Sequence, residues 1–162
     1  MKAGLFPMHV WLPEAHPAAP SHVSALMSGV MIKTGIYGIL RTTAAVGGQT
    51  SLHTAGMILL AAGIVTGLWG IILAATQNDV KRLLAYSSIE NIGVILIGLG
   101  VAALGKASGN QVVAMAGIAG ALPHTGNHSV AKALPFFAAA PPPTALRSPL
   151  RDTTPAVARH LP

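Results

Sequence analysis

The sequence contains no cysteine, which removes disulfides, thiolate nucleophiles and cysteine-bound iron–sulfur clusters from consideration. It also has very little charge: Asp and Glu together number 4, and charged residues of both signs make up 9%. Ordinary soluble domains carry about a quarter charged residues. A water-soluble fold needs a polar exterior that these few groups cannot supply, and a disordered chain would not be 52% hydrophobic. Aromatic residues are scarce at 4%, so the interfacial girdles of a lipid-facing β-barrel are missing, as is its alternating hydrophobicity. The net charge of +6 is spread along the chain, with Arg147, Arg151 and Arg159 near its end. No basic run with interleaved aromatics forms, which leaves nucleic-acid binding without support. Pro7, Pro13 and His9 break the first apolar segment, so it does not read as a cleavable signal peptide.

What remains is greasy and glycine-rich, with 18 glycines that would let lipid-embedded helices approach closely. A spanning helix needs roughly 20 mostly apolar residues. The run "AGMILLAAGIVTGLWGIILAAT", residues 55–76, meets this with no charge at all. Residues 21–41, opening after Pro20, form a second candidate, and "SSIENIGVILIGLGVAAL", residues 87–104, a third. A fourth runs over residues 111–140, with Pro123, Gly126 and Pro135 expected to interrupt it. "GLFPMHVWLP", residues 4–13, is too short to span and reads as the end of a broken helix. Connections are expected at residues 14–20, 42–54, 77–83 and 105–110. The fold class is therefore all-α: a polytopic transmembrane bundle of about four spanning helices plus a half-helix, embedded in a lipid bilayer. Residues 141–162, rich in proline and arginine, lose all periodicity and read as a disordered tail after a membrane domain over 1–140. Loop charge does not fix the orientation, because Lys81 and Arg82 on one side balance Arg41 and Lys106 on the other.

Few ionisable groups fall inside this greasy material, and their cost of insertion makes each a candidate for function. Lys33 lies well inside the second span; it is either a switchable proton carrier or a lysine snorkelling to the interface about two turns away. His124, His128 and Lys132 recur at every fourth residue, which stacks them on one face of a helix as a proton wire. Two histidines one turn apart also suit zinc, but no third ligand or H-E-x-x-H glutamate accompanies them. His9, His16 and His22 sit among prolines at a helix junction, where hydrogen bonding or proton relay is a better use than metal ligation. Helix breaks are tolerated in lipid where freed backbone groups meet protein or water, so a break beside Lys2 and His9 marks a hydrated spot. Glu90 has two readings, a first-turn acid favoured by the helix dipole or a member of a proton pathway. Asp79, Lys81 and Arg82 read as a solvated connection. Neither a metal nor any other cofactor is called for.

"KAGLFPMHVWLPEAHPAAPSHVSALMSGVMIKTGIYGILR", residues 2–41, resembles the strongest signature of the proton-conducting antiporter-like membrane subunits. That family includes large membrane subunits of NADH:quinone oxidoreductase, of multisubunit cation/proton antiporters and of membrane-bound hydrogenases. "TQNDVKRLLAYSSIENIG", residues 76–93, resembles its next signature, in wording most similar to the hydrogenase-4 component B and formate hydrogenlyase subunit 3 branch. "HTGNHSVAKALPFF", residues 124–137, resembles its histidine-and-lysine helix. The resemblance covers about residues 2–140. It implies that Lys2 is the lysine of the broken helix, which pairs with a glutamate on an earlier helix. It implies that Lys33 is the bridging lysine, and that His124, His128 and Lys132 form the polar axis that carries protons onward. Redox chemistry then belongs to partner subunits of a hydrogenase or dehydrogenase, in the inner (plasma) membrane, and no organic catalysis is expected on this chain.

The departures set further expectations. The earlier helices with the partner glutamate, and the later helices with an exit-side ionisable group, are not in the sequence. Pro123, Gly126 and Pro135 stand where the family has bulky apolar residues, and the tail matches nothing in it. The chain thus reads as a central fragment of a proton-translocating subunit. Two rivals stand beside that: a subunit of a sodium/proton antiporter, and a non-functional remnant of a decayed reading frame.

Overall fold

The computed structural model describes residues 3–139, so Lys2 and the residues from 140 onward, including the expected disordered tail, lie outside it. Among the described residues there are helices and turns and no strand. α1 (Trp11–Ala18) is followed by α2 (Ser21–Leu26), a π-helical turn (Met27–Met31) and α3 (Ile32–Ala45), the last three forming one continuous helical run. α4 (Gln49–Ala75), α5 (Val80–Ala107) and α6 (Gln111–Ala138) complete the bundle.

Three stretches, Ser21–Ala45, Gln49–Ala75 and Val80–Ala107, are long and apolar enough to cross a membrane. α6 is as long as α5, at 28 residues. Its second half carries His124, Asn127, His128, Ser129 and Lys132, so by composition it falls short where the other three do not. The fourth expected span therefore exists as a helix of spanning length with a polar stripe.

Three expectations need correction. The connections are shorter than expected, because residues 42–45 and 49–54 extend α3 and α4, and Glu14 lies within α1. The expected connection at 77–83 is largely the first turn of α5: Asp79 is its N-cap, with Oδ1 accepting from Lys81 N at 2.7 Å and Arg82 N at 3.3 Å. Pro123 and Pro135 do not interrupt the fourth helix, since α6 runs unbroken past both. Proline removes one amide donor and costs a soluble helix about 3 kcal/mol or more, whereas unwinding in lipid would strip several backbone groups, each worth several kcal/mol. Keeping the helix is the cheaper outcome.

The four long helical runs alternate in direction. Short reversals make this feasible: Gly48 and Gly109 adopt φ of +83° and +71°, a region that side chains avoid. α5 is the central element, burying Ile89, Ile92, Ile95, Leu96 and Leu99 between α4, α6 and the N-terminal segment. α4 touches α5 along a seam of small residues and leaves Ile58, Val65, Leu68 and Ile72 exposed. Such an apolar outer face suits acyl chains rather than water. Before α1 the chain turns without regular helix. Phe6 N donates to the buried Thr66 Oγ1 of α4 at 3.3 Å, so part of the broken helix is met by protein.

The α5 cap gives a direct check. Asp79→Ala should lower stability in detergent by about 1 kcal/mol, the usual value of an N-cap side chain; an unchanged unfolding midpoint would show that the cap is redundant.

Candidate functional site

α5 and α6 pack antiparallel at backbone contact: a Cβ on Gly117 would lie 2.6 Å from Gly98 O and 2.9 Å from Ala102 Cα. The same pairing carries on toward the other end of the bundle, where small polar residues of α5 face the polar stripe of α6. Ser87, Ser88 and Asn91 come from α5, and His124, His128 and Lys132 from α6.

The third contributor is the π turn. Ile32 N donates to Met27 O, five residues back, so the Ser28 carbonyl loses the donor that an α-helix would give it. Lys33 Nζ donates to that carbonyl at 2.9 Å. The extra residue of the turn also brings the buried Ser28 hydroxyl to 2.8 Å from Ser88 Oγ. Lys33 is thus held inward by its own helix. The snorkelling reading does not describe the geometry.

Lys33 Nζ is hydrogen-bonded to His128 Nδ1 on α6. Lys132 Nζ is hydrogen-bonded to Ser87 Oγ and donates to Leu84 O at 3.5 Å. Ser88 Oγ donates to the same Leu84 carbonyl at 2.9 Å, which ties the two lysines into one cluster. One turn further along α6, His124 Nε2 meets Asn91 Oδ1 at 2.9 Å, and its ring stacks with that of His128 at 6.5 Å. Asn91 Nδ2 donates to Glu90 Oε2 and to Ser87 O, both at 2.7 Å.

Both lysines are solvated by neutral acceptors. The ion pair among the described residues, Arg82 with Glu14 at 3.4 Å, lies on the surface. Hydrogen bonds to a charged group contribute about 1.5–3 kcal/mol each, enough to hold an ammonium in place when several converge. His128 is buried, with Nδ1 facing Lys33 and Nε2 without a protein partner. A lysine and an imidazole in direct contact can share a proton in either direction, depending on the histidine tautomer.

Of the residues singled out by sequence, Lys33, His128 and Lys132 come together, and His124 joins through Asn91 and ring stacking. Glu90 sits three turns inside α5, which begins at Val80, so it is not a first-turn acid; it reaches the cluster through Asn91. His9 is buried against Phe6, ring centroids 5.6 Å apart, with no hydrogen bond to the cluster. Lys2 lies outside the described residues. His16, weighed as a relay group, is fully buried, stacks on Phe136 at 4.8 Å and has no partner for either ring nitrogen; His22 is exposed.

Sequence reasoning missed Ser28, Ser87, Ser88 and Asn91 as members of the site. The pair "SS" before "IEN" is visible in the sequence, but serine is common at interfaces, and nothing in residues 27–31 announces a π turn.

A family model described as "NADH:quinone oxidoreductase/Mrp antiporter, TM" matches residues 1–140. Hydrogenase-4 component B of Escherichia coli is 48% identical over 139 residues, covering 85% of this chain and 21% of that protein. Formate hydrogenlyase subunit 3 of Escherichia coli is 40% identical over 137 residues, with 85% and 22% covered. A Na(+)/H(+) antiporter subunit of Alkalihalophilus pseudofirmus is 34% identical over 137 residues, with 85% and 25% covered. The chain spans only a fifth to a quarter of the length of these relatives. With three stretches fit to cross a membrane and a family match over all the described residues, the chain belongs to the NADH:quinone oxidoreductase/Mrp antiporter transmembrane family.

Proposed function

We propose that this chain forms the central part of a proton-translocating subunit of a membrane-bound hydrogenase or complex I-like oxidoreductase in the plasma membrane. Lys33, His128 and Lys132 carry the protons, with His124 continuing the line. Lys2 and His9 serve the approach from the broken helix, and Glu90 serves through Asn91. Redox chemistry and its cofactors reside on partner hydrogenase or dehydrogenase subunits. The contact between Lys33 and His128, 95 positions apart in sequence, carries the reading. It joins two proton-exchanging groups inside a chain whose composition can place few charges anywhere.

Proton passage along this line needs only small moves. Lys33 hands a proton to His128 Nδ1, and Nε2, which lacks a protein partner, releases one on the far side of the ring. The Ser28 carbonyl holds Lys33 and the Ser87 hydroxyl holds Lys132, neutral acceptors that do not trap the charge, and the Ser28 and Ser88 hydroxyls bridge the two. A component of a sodium/proton antiporter is the second reading, favoured by the likeness to the Alkalihalophilus pseudofirmus protein. It would use the same side chains and differ in partners and in sodium dependence.

The test is proton flux into proteoliposomes holding the chain with candidate partner subunits. A positioned proton-transfer group contributes about 10²–10⁴-fold in rate, so His128→Ala should slow flux by at least about tenfold. His22→Ala, at an exposed position, should leave it unchanged. Normal flux in His128→Ala would reduce that ring to packing, sodium-dependent flux would favour the antiporter, and no flux in any combination would favour a non-functional remnant.

A further inference from the structure

The period-four stripe of α6 continues one turn past Lys132, and there it becomes apolar: the next position is Phe136, fully buried. The ring lying on Phe136 comes from α1. It is His16, with centroids 4.8 Å apart and planes 20° from parallel, and it too is fully buried. A titratable group thus stands where the stripe itself supplies none. Lys132 is close by, since its Nζ donates to Leu84 O and the Leu84 side chain packs with Phe136. Burial, and after it the ammonium groups of Lys132 and Lys81, push the His16 pKa down to about 4, so the ring rests neutral and able to accept a proton.

No group among the described residues meets either ring nitrogen of His16. The Ser21 hydroxyl, at the start of α2, is buried and unmet as well. Polar atoms this deeply buried are nearly always satisfied, by ordered water where protein does not reach them. Stacking on Phe136 alone would be better served by a phenyl ring, which has no nitrogen to leave unmet. The surface is close on the other side of α1. Two positions on a helix lie about 200° apart, so exposed Glu14 and buried His16 occupy opposite faces. Glu14 pairs with Arg82 at 3.4 Å, and Lys81 Nζ donates to Ala19 O at 3.1 Å, just past the end of α1.

We propose that His16 is a further proton-transfer group, joining Lys132 to the aqueous face at the Glu14–Arg82 end of the bundle. One ring nitrogen takes the proton from the Lys132 side and the other releases it at the junction of α1 and α2. The assignment rests on the proton line proposed above and gives that line an end at the surface. A neutral imidazole can pass a proton in this way, accepting at one nitrogen and donating from the other. A ring pinned at one nitrogen by a protein acceptor would be fixed in a single tautomer. His16 is instead positioned by its main chain and its face: His16 O accepts from Ser24 Oγ at 2.9 Å and Phe136 covers the ring, so both nitrogens stay available.

Two measurements test it. In proteoliposomes, His16→Phe keeps the stacking on Phe136 and should slow proton flux at least about tenfold, with an unfolding midpoint no lower than that of the wild type. His16→Gln, a polar side chain that does not titrate, should slow flux to the same degree. Flux recovered in His16→Gln would assign the loss to hydrogen bonding and overturn proton transfer. Normal flux in His16→Phe beside slowed flux in His128→Ala would overturn this proposal and leave the line standing. Normal flux in both would remove the line and His16 with it. The second measurement is nitrogen-15 NMR of the histidine-labelled full chain in detergent, with the His16 signals identified by their loss in His16→Phe. Both nitrogens should show averaging between tautomers, and the ring proton should exchange readily with deuterium oxide. A single tautomer protected from exchange would overturn the proposal whatever the flux.

Discussion

Lys33→Ala should abolish proton translocation, lowering flux in proteoliposomes by about a hundredfold, within the range for a positioned proton-transfer group. Assembly should survive. The cost of desolvating the ammonium disappears with the side chain, which offsets the hydrogen bonds lost with it. The partners left behind are the Ser28 carbonyl and His128 Nδ1, neither of which is charged when the imidazole is neutral. Lys33→Arg separates mechanism from structure. A guanidinium keeps the positive charge and the donors but does not give up its proton, so it should restore any structural role and leave flux as low as in the alanine variant. Flux recovered by arginine, or undiminished in Lys33→Ala, would remove Lys33 from the pathway and leave it as an anchor for the π turn.

The second large effect is on stability. Gly93→Ala should lower the stability of the bundle by about 3 kcal/mol, the upper part of the usual cost of overpacking. A Cβ there would stand 2.6 Å from both Gly63 O and Gly67 Cα, and these are backbone atoms that no side-chain rotation can move aside. α4 would have to shift away from α5. Because Gly70 also lies close to Glu90, with its own Cβ position 2.9 Å from Glu90 Cα, the shift should propagate toward the polar cluster and slow proton flux as well. Gly120→Ala is the matched control. Nothing lies within 4 Å of its Cβ position, so it should be neutral or gain up to about 1 kcal/mol from helix propensity. Equal unfolding midpoints for the two variants in detergent would show that the α4–α5 seam is looser than its geometry.

These two sites also show what could be read in advance. Lys33 announces itself: a lone cation in an apolar run has few inexpensive places to go, and period-four spacing alone puts His124, His128 and Lys132 on one face. Glu90 was harder. Two serines just ahead of it resemble a helix start, whereas the actual N-cap, Asp79, stands among charges that resemble a loop. Local pattern could not choose, because a cap differs from a loop residue only in where its carboxylate points. Pro123 and Pro135 misled for a different reason. Proline's penalty is a soluble-protein quantity, and in lipid the alternative to a strained helix is worse.

By itself, the sequence determined that this chain is an all-helical membrane protein and named the ionisable side chains that its interior must accommodate. Charge content and apolar run length act residue by residue, and no packing can change the solvent they require. Only the tertiary structure decided which of those side chains meet. The π turn that turns Lys33 inward and the serines and Asn91 that connect α5 to α6 depend on the register of helices distant in sequence. That register is set by glycine-to-backbone contacts between α4, α5 and α6, which become visible only when the helices are laid side by side.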